Sequence, residues 1–216
     1  MWCHGWDALK ISVACYGVGN MHSITKAVRL TGAEVRVAKT PSELFPADGI
    51  ILPGVGSFSA GSRWFVEERE RVAERMREVP VLGICLGCQL LLDSSEEGAG
   101  RGLSLIPGTV RRLSARKVPN TGWERVYTRG ENMLFSGIQN GEAFYFVHSF
   151  VPVPANSEDV AASTTLGWDG GAVSFVSAVA HENIFGVQFH PEKSSKQGLR
   201  LIGNFVEYCR RVNLCR

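Results

Sequence analysis

A cysteine flanked by two glycines is the strongest chemical signal in the sequence. The run 83–87 (Gly-Ile-Cys-Leu-Gly) lies between a stretch typical of a strand and a stretch typical of a helix. Glycines two residues to either side allow the sharp turn that exposes a nucleophile above a sheet, and the amides of a helix N-terminus favour a thiolate. We therefore interpret Cys85 as a nucleophile, although most intracellular cysteines are small buried apolar residues.

A cysteine nucleophile requires a base, and the sequence holds five histidines. His190 follows the apolar run 184–189, and Glu192 stands two residues later. In an extended segment these two side chains point the same way, so the carboxylate would fix the imidazole tautomer and stabilise the imidazolium. A single histidine at a strand end is more often structural, but this pairing favours His190 as the base and Glu192 as its orienting group.

Attack of a thiolate on a carbonyl generates an oxyanion, which needs N–H donors held in place. The amide of Leu86 follows the nucleophile directly, and the loop Gly54-Val55-Gly56 after the apolar run 48–52 offers a second donor. Neighbouring parallel strands end at the same edge of a sheet, which would bring this loop to Cys85. No Lys-Ser or Lys-Thr pair follows the glycines, which argues against a phosphate-binding loop.

Cys85 and Cys88 also form a C-x-x-C pattern, which elsewhere indicates a redox dithiol or half of a zinc site. The sequence has no second C-x-x-C, and Cys209 and Cys215 are too far apart to complete a four-cysteine site. We therefore expect no metal and no other cofactor, and we interpret Cys88 as a core residue.

The segments that must position these residues alternate between short apolar strands and amphipathic helices, which predicts an α/β fold with a largely parallel sheet. The first strands are expected at 10–16, 34–38, 48–52 and 80–84, and the helices between them at 21–32, 65–79 and 86–92. The charged residues of 67–77 are expected on a solvated helix face. Later strands are expected at 109–113, 124–128, 143–148, 172–179 and 184–189, before a closing helix over 196–211.

Composition excludes several classes of protein. The 216 residues are 44% hydrophobic and 20% charged, which is normal for a folded domain and not for a disordered chain. A net charge of +2 argues against a nucleic-acid partner. No apolar run reaches the roughly 18 to 20 residues of a membrane span, and the first residues do not read as a secretory signal. We expect a cytoplasmic protein with one domain over 1–216, and no nucleic-acid or membrane partner.

Three motifs together, in this order along the chain, resemble the class I (triad) glutamine amidotransferases. They are the loop 53–56, the run 83–89 and the run 185–192 (Phe-Gly-Val-Gln-Phe-His-Pro-Glu). The resemblance implies a flavodoxin-like α/β domain, with a mixed, mostly parallel central sheet flanked by helices. It also implies hydrolysis of glutamine to glutamate and ammonia through a thioester. Residues 1–8 match nothing in the family, and we interpret them as an unstructured extension.

The resemblance also implies roles for individual residues. The triad would be Cys85, His190 and Glu192. The oxyanion hole would be built by Val55, Gly56 and Leu86. The glutamine pocket would be lined by Gly54, Gln89, His148, Ser149 and Phe150. Two residues depart from the family pattern, since Phe150 stands where a tyrosine is expected and Cys88 stands where a methionine is usual.

Within the family, the segments 16–20, 119–123 and 145–150 and the pair Lys193-Ser194 look like those of the glutaminase subunits of histidine biosynthesis. This likeness implies a heterodimer with a cyclase subunit of (βα)8-barrel type, which would be faced by Asn20, Trp123 and Lys193. Free ammonia is protonated in neutral water, so a glutaminase is useful when its ammonia reaches an acceptor site that excludes water.

Three alternatives stay open on the sequence alone. Class I glutaminases that serve anthranilate, pyridoxal phosphate or guanylate synthesis share the triad. A cysteine peptidase or a γ-glutamyl hydrolase of related fold is a weaker alternative. A catalytically silent regulatory module would keep the fold, but the intact set of Cys85, His190 and Glu192 argues against it.

Overall fold

The computed structural model describes residues 8–16, 21–54 and 56–214. The predicted site residues Asn20 and Val55 lie outside these ranges, as do residues 1–7 of the predicted extension. None of the described helices has the length and apolarity that a bilayer crossing requires.

The strands of the described ranges are β1 (Lys10–Ala14), β2 (Glu34–Ala38), β3 (Gly49–Leu52), β4 (Val81–Ile84), β5 (Ser94–Ser95), β6 (Gly108–Arg112), β7 (Asn120–Arg125), β8 (Tyr127–Thr128), β9 (Ala143–His148), β10 (Phe150–Pro154), β11 (Val160–Trp168), β12 (Gly171–His181) and β13 (Ile184–Val187). The α-helices are α1 (Met21–Arg29), α2 (Phe58–Trp64), α3 (Arg69–Met76), α4 (Leu86–Leu90) and α5 (Ser195–Leu214). Short 3-10 turns cover Pro41–Leu44, Met133–Phe135, Ser157–Asp159 and Pro191–Lys193.

The large sheet has the strand order β2-β1-β3-β4-β13-β12-β11-β8. The pairs from β2 to β13 are parallel, and the pairs from β13 to β8 are antiparallel. Two small sheets, β10-β6-β5 and β7-β9, stand beside it. Strands β3, β4 and β13 are neighbours and parallel, so their carboxyl ends meet at one edge of the sheet, where a parallel sheet places its functional loops.

Apolar residues cover both faces of the large sheet. Along β3, Ile51 belongs to one buried cluster, whereas Ile50 and Leu52 belong to the other. Helices α1 and α5 contribute to the first cluster, and α2, α3 and α4 contribute to the second. Side chains of a strand alternate between faces, so a strand that is apolar throughout must be covered on both. The predicted fold class, a mixed and mostly parallel sheet flanked by helices, is confirmed.

The single helix predicted over 65–79 is wrong. The chain instead forms α2 and α3, with a turn between them at which Phe65 is buried. Arg69, which we expected on a solvated face, is also buried and donates to the carbonyl oxygens of Ser62, Arg101 and Gly102. Ser62 belongs to the preceding helix α2, whereas Arg101 and Gly102 lie more than thirty residues away, so the charge pattern of 67–77 carried no sign of these acceptors.

The strand predicted over 124–128 is also wrong, because buried Val126 separates β7 from β8. These two strands belong to different sheets. Strands β10 and β11 were not predicted at all. Pro152 and Pro154 disfavour a strand over 150–154, but β10 pairs only with β6 at the edge of a small sheet, where prolines are tolerated.

Candidate active site

Cys85 occupies the turn between β4 and α4, with backbone angles φ 48° and ψ −105°. Its own N–H donates to the carbonyl oxygen of Val187, 2.7 Å away, which ties the turn to β13. A Cβ on Gly83 would lie 2.6 Å from the backbone nitrogen of Cys88, and a Cβ on Gly87 would overlap the carbonyl oxygen of Leu52. Both glycines are therefore required by close packing, as expected for a strand-to-helix turn that projects its central residue.

His190 follows β13, and its Nδ1 lies 2.8 Å from Oε1 of Glu192. The predicted contact between His190 and Glu192 is thus present, but the prediction that the backbone between them is extended is wrong. Residues Pro191–Lys193 form a 3-10 turn. Ser194 holds this turn, since its hydroxyl donates to the His190 carbonyl oxygen at 2.6 Å and accepts from the Tyr145 N–H at 2.9 Å.

Gly54 lies between the thiol and the imidazole. A Cβ at this position would lie 2.7 Å from Cβ of Cys85 and 3.1 Å from Cε1 of His190. Tyr16 anchors the start of the loop, because its buried hydroxyl donates to the carbonyl oxygen of Pro53. Only a residue without a side chain fits where three neighbouring strand ends converge this closely.

His190 is buried next to two groups that favour its charged form. Burial by itself would lower the pKa of His190, but the interactions with Cys85 and Glu192 outweigh burial and raise the pKa from 6.5 to about 9. The Nε2 atom makes no hydrogen bond to any described residue, although Cys85 is close enough to affect the pKa. The imidazolium thus stabilises the fold fully below pH 6.5, and this stabilisation is lost as the pH rises through about 9.

A cavity of about 310 Å³ opens above Cys85 and His190. Most of the predicted site residues line it, namely Gly54, Gly56, Cys85, Leu86, Gln89, His148, Ser149, Phe150, His190 and Lys193. Glu192 lines a smaller pocket behind the imidazole. Trp123 is not brought to the cavity and lies on β7, 53% exposed.

The Phe150 carbonyl oxygen accepts two hydrogen bonds from the cavity wall, from Nδ1 of His148 at 3.0 Å and from Nε2 of Gln89 at 3.2 Å. The other ring nitrogen of His148 lies 3.2 Å from Nδ2 of Asn120. A neutral imidazole that donates at Nδ1 and accepts at Nε2 satisfies both contacts. Burial, opposed by the bond to Phe150 and assisted by the charge of His190, lowers the pKa of His148 to about 4.

Two further residues of the cavity were not predicted, Val147 and Glu97. Oε2 of Glu97 accepts from the N–H of Phe58 at 2.7 Å, at the start of α2. Glu97 belongs to an exposed acidic stretch with no periodic pattern, so nothing local marks it. The signal that could have found it is chemical, since a pocket for an amino acid needs an anion to bind the ammonium group.

Cys88 is fully buried, and a Cβ on Gly186 would lie 2.7 Å from its sulfur. Burial, followed by the charge of Cys85, raises the pKa of Cys88 far above its usual value. Both cysteines of the C-x-x-C are free thiols. In the portion of the chain that the structure describes, no group of three or more histidine, cysteine or acidic residues is arranged to hold a metal ion.

The model of the class-I glutamine amidotransferase family matches residues 14–208, which include the cavity and every element around it. The chain belongs to the class-I glutamine amidotransferase family. This amidotransferase is 45% identical over 207 residues to imidazole glycerol phosphate synthase subunit HisH of Moorella thermoacetica, a match that covers 93% of this chain and 95% of that protein. HisH of Pyrococcus furiosus is 43% identical over 198 residues, covering 91% of this chain and 97% of that protein.

A solved structure of PurLQS from Thermotoga maritima superposes on the amidotransferase with a TM-score of 0.70. The two chains are 21% identical, and the match covers 94% of this chain and 99% of that one. At this identity the likeness concerns the fold alone.

The pKa values of the two buried histidines are expected to be shifted in opposite directions from the usual value, which NMR of their Cε1–H resonances would measure. In the amidotransferase, His190 should titrate near pH 9 and His148 near pH 4. Glu192→Gln should lower the pKa of His190, because it removes a negative charge that supports the imidazolium. Glu207→Gln, an exposed change on α5, is the control and should leave both values unchanged. An unaltered His190 titration in Glu192→Gln would contradict the assigned cause.

Proposed function

We propose that the chain is the glutaminase subunit of an imidazole glycerol phosphate synthase, which hydrolyses glutamine and supplies ammonia to a cyclase in histidine biosynthesis. The observation that carries the proposal is the contact between Glu192 and Nδ1 of His190. This contact leaves the other ring nitrogen, Nε2, free for the interaction with Cys85. The relatives named HisH, matched over nearly the whole chain, support the choice among glutaminases. The proposal treats the chain as one amidotransferase domain.

In the proposed reaction, the thiolate of Cys85 attacks the side-chain amide carbon of glutamine. A C–S bond forms, and the carbonyl electron pair moves to oxygen. His190 then donates its proton to the departing nitrogen, the C–N bond breaks, and ammonia leaves a thioester. His190, now neutral, takes a proton from water as the water oxygen forms a bond to the thioester carbon. The C–S bond then breaks, which releases glutamate and restores the Cys85 thiolate beside a protonated His190. Glu192 keeps the imidazole in the tautomer that both steps require.

The oxyanion formed in both steps is assigned to the amides of Leu86 and of the loop residues Val55 and Gly56. Leu86 begins α4, where backbone N–H groups have no partner within the helix. Gly56 has a φ of 112°, and a Cβ there would lie 3.6 Å from the Leu86 side chain. Gly56 therefore lies close to the start of α4 in the lining of the same cavity, as a two-donor site requires.

The remaining cavity residues are assigned to glutamine itself. Gly54 gives room for the substrate amide beside Cys85, and Ser149 and Phe150 form the opposite wall. Gln89 and His148 hold that wall through the Phe150 carbonyl oxygen. Glu97 is assigned to the α-ammonium group of the substrate, because it is the acidic side chain among the described residues that line the cavity.

The partner is proposed to be a cyclase subunit of (βα)8-barrel type, bound as a heterodimer. The support is an exposed face beside the cavity, where Trp123 packs edge-on against Tyr145 with ring centroids 6.0 Å apart. Nζ of Lys193 lies 5.9 Å from the Tyr145 ring centroid and also lines the cavity. Asn20 belongs to the same proposed interface. The proposed compartment is the cytoplasm, where Cys85 would remain reduced.

Replacement of the nucleophile tests the function directly. Cys85→Ala should lower ammonia release from glutamine by at least about a thousandfold, measured with and without the cyclase subunit, because triad residues act as a unit. Cys88→Ala is the matched control, three positions along the same turn of chain, and should keep most of the activity. Activity that survives in Cys85→Ala would exclude this nucleophile, and activity lost in Cys88→Ala would favour a dithiol.

The assignment of Glu97 predicts a change in substrate binding. Glu97→Gln should raise KM for glutamine about tenfold with little change in kcat, since it removes the charge of one charge-assisted hydrogen bond. Hydrolysis of the glutamine analogue that lacks the α-amino group should not respond, because that analogue has no ammonium to bind. Glu96→Gln serves as the control. An equal effect on glutamine and on the analogue would refute the assignment.

The interface predicts a separate effect for Lys193. Lys193→Ala should weaken association with the cyclase subunit by about tenfold, more at low salt than at high salt, because charges near an interface act mainly on association. Lys196→Ala, an exposed change at the start of α5, should have no such effect. Affinity and ammonia transfer equal to wild type would make Lys193 an ordinary surface residue.

A further inference from the structure

We infer that Gln188 is a positioning residue that holds the sulfur of Cys85 through its side-chain amide, an inference that rests on the proposed nucleophilic role of Cys85. Gln188 has no solvent exposure, and its Nε2 lies 3.4 Å from Sγ of Cys85. Gln188 directly follows β13, and its backbone N–H donates to the carbonyl oxygen of Ser177 at 2.9 Å, which fixes the residue against β12. The reaction steps described above give this side chain no role.

The hydrogen-bond partners decide which end of the Gln188 amide faces the sulfur. The Phe150 carbonyl oxygen can only accept, so the Gln89 atom that lies 3.2 Å from it must be the NH2 group. The same NH2 group lies 3.1 Å from the Gln188 amide, which must therefore present its oxygen there. The Gln188 NH2 group is then left to face Cys85. One backbone carbonyl thus sets the polarity of both amides, from the cavity wall to the nucleophile.

A donor aimed at the sulfur distinguishes between the two forms of the thiol. A neutral thiol is a weak acceptor, whereas a thiolate accepts a charge-assisted hydrogen bond that is about twice as strong as a neutral one. The amide is buried and already oriented, so little ordering is needed when the charge forms. Gln188 therefore favours the thiolate and holds its position, while His190 approaches the same residue with its own positive charge.

Gln188 differs from His190 because its side chain cannot exchange a proton. An amide neither gains nor loses a proton at ordinary pH, so Gln188 orients the sulfur without taking part in the proton transfers. It also contacts Gln89, which lines the cavity. The Gln188 amide thus links the nucleophile, through its NH2 group, to the pocket wall, through its oxygen. Substitutions can remove one of these two contacts and keep the other.

The experiment compares Gln188→Glu with Gln188→Met in the complex with the cyclase subunit, using kcat and KM for glutamine over a range of pH. Gln188→Met removes both contacts and should lower kcat by about 10- to 100-fold at every pH. Gln188→Glu keeps an acceptor for Gln89 but donates to sulfur only while its carboxyl is protonated. Its kcat relative to wild type should therefore fall as the pH rises, with KM close to that of wild type.

Ser177→Ala is the control, because Ser177 is buried in the adjoining strand and its hydroxyl has no partner among the described residues. It should leave kcat and its pH profile unchanged. A flat ratio of Gln188→Glu to wild type over the pH range, or unchanged kcat in both Gln188 variants, would overturn the inference. A wild-type complex that releases no ammonia would instead refute the proposed function.

A measurement on the unaltered Gln188 side chain covers the case in which its variants fail to fold. The side-chain NH2 resonances of Gln188 are expected to shift when Cys85→Ala removes the acceptor, in NMR spectra of the folded 23.6 kDa protein. The side-chain amide of Asn204 on α5, which donates to the carbonyl oxygens of Leu134 and Ser136, should not respond. Unchanged Gln188 resonances would show that its amide does not bind the sulfur.

Discussion

A non-glycine residue with positive φ costs about 1 to 3 kcal/mol and persists only where the surrounding structure holds it, and Cys85 has φ 48°. Helix α4 holds it there. Gly83 on β4 and Gly87 on α4 have no side chains, so the helix backbone lies directly against the backbone of β3 and β4. If either contact were relaxed, the thiol would turn away from the strand ends that carry Gly54 and His190. The geometry of the site is thus a consequence of how closely one short helix approaches the sheet.

Near this turn, burial lowers the pKa of both His190 and His148, and the neighbours of each histidine decide the outcome. His190 interacts with Cys85 and with Glu192, and both interactions favour its positive charge despite the loss of solvent. His148 contacts a backbone carbonyl and an amide, and burial therefore leaves it neutral. Two histidines in the wall of one cavity thus differ in charge, which fits the proposed proton transfer by His190 and the contacts by which His148 fixes the wall.

The sequence made some features predictable because their signals are local. The glycine spacing around Cys85 and the two-residue spacing of His190 and Glu192 were enough to predict the turn and the pair, even though the 3-10 turn between the latter was unexpected. The contact of Glu97 with Phe58 and the hydrogen bonds of Arg69 to Arg101 and Gly102 depend on segments more than thirty residues away. The orientation of Gln188 depends on Gln89, almost a hundred positions earlier, and no local pattern encodes it.

The departure at position 150 illustrates what this architecture can tolerate. Phe150 takes the place of an expected tyrosine, yet the atom that orders the cavity wall is its main-chain oxygen. Every amino acid supplies that oxygen, so a point mutation at position 150 alters the surface of the cavity without deleting the acceptor that orients the Gln89 and Gln188 amides. The side chain at position 150 can therefore vary in evolution, while the hydrogen bonds of Gln89 and His148 to the main-chain oxygen are kept.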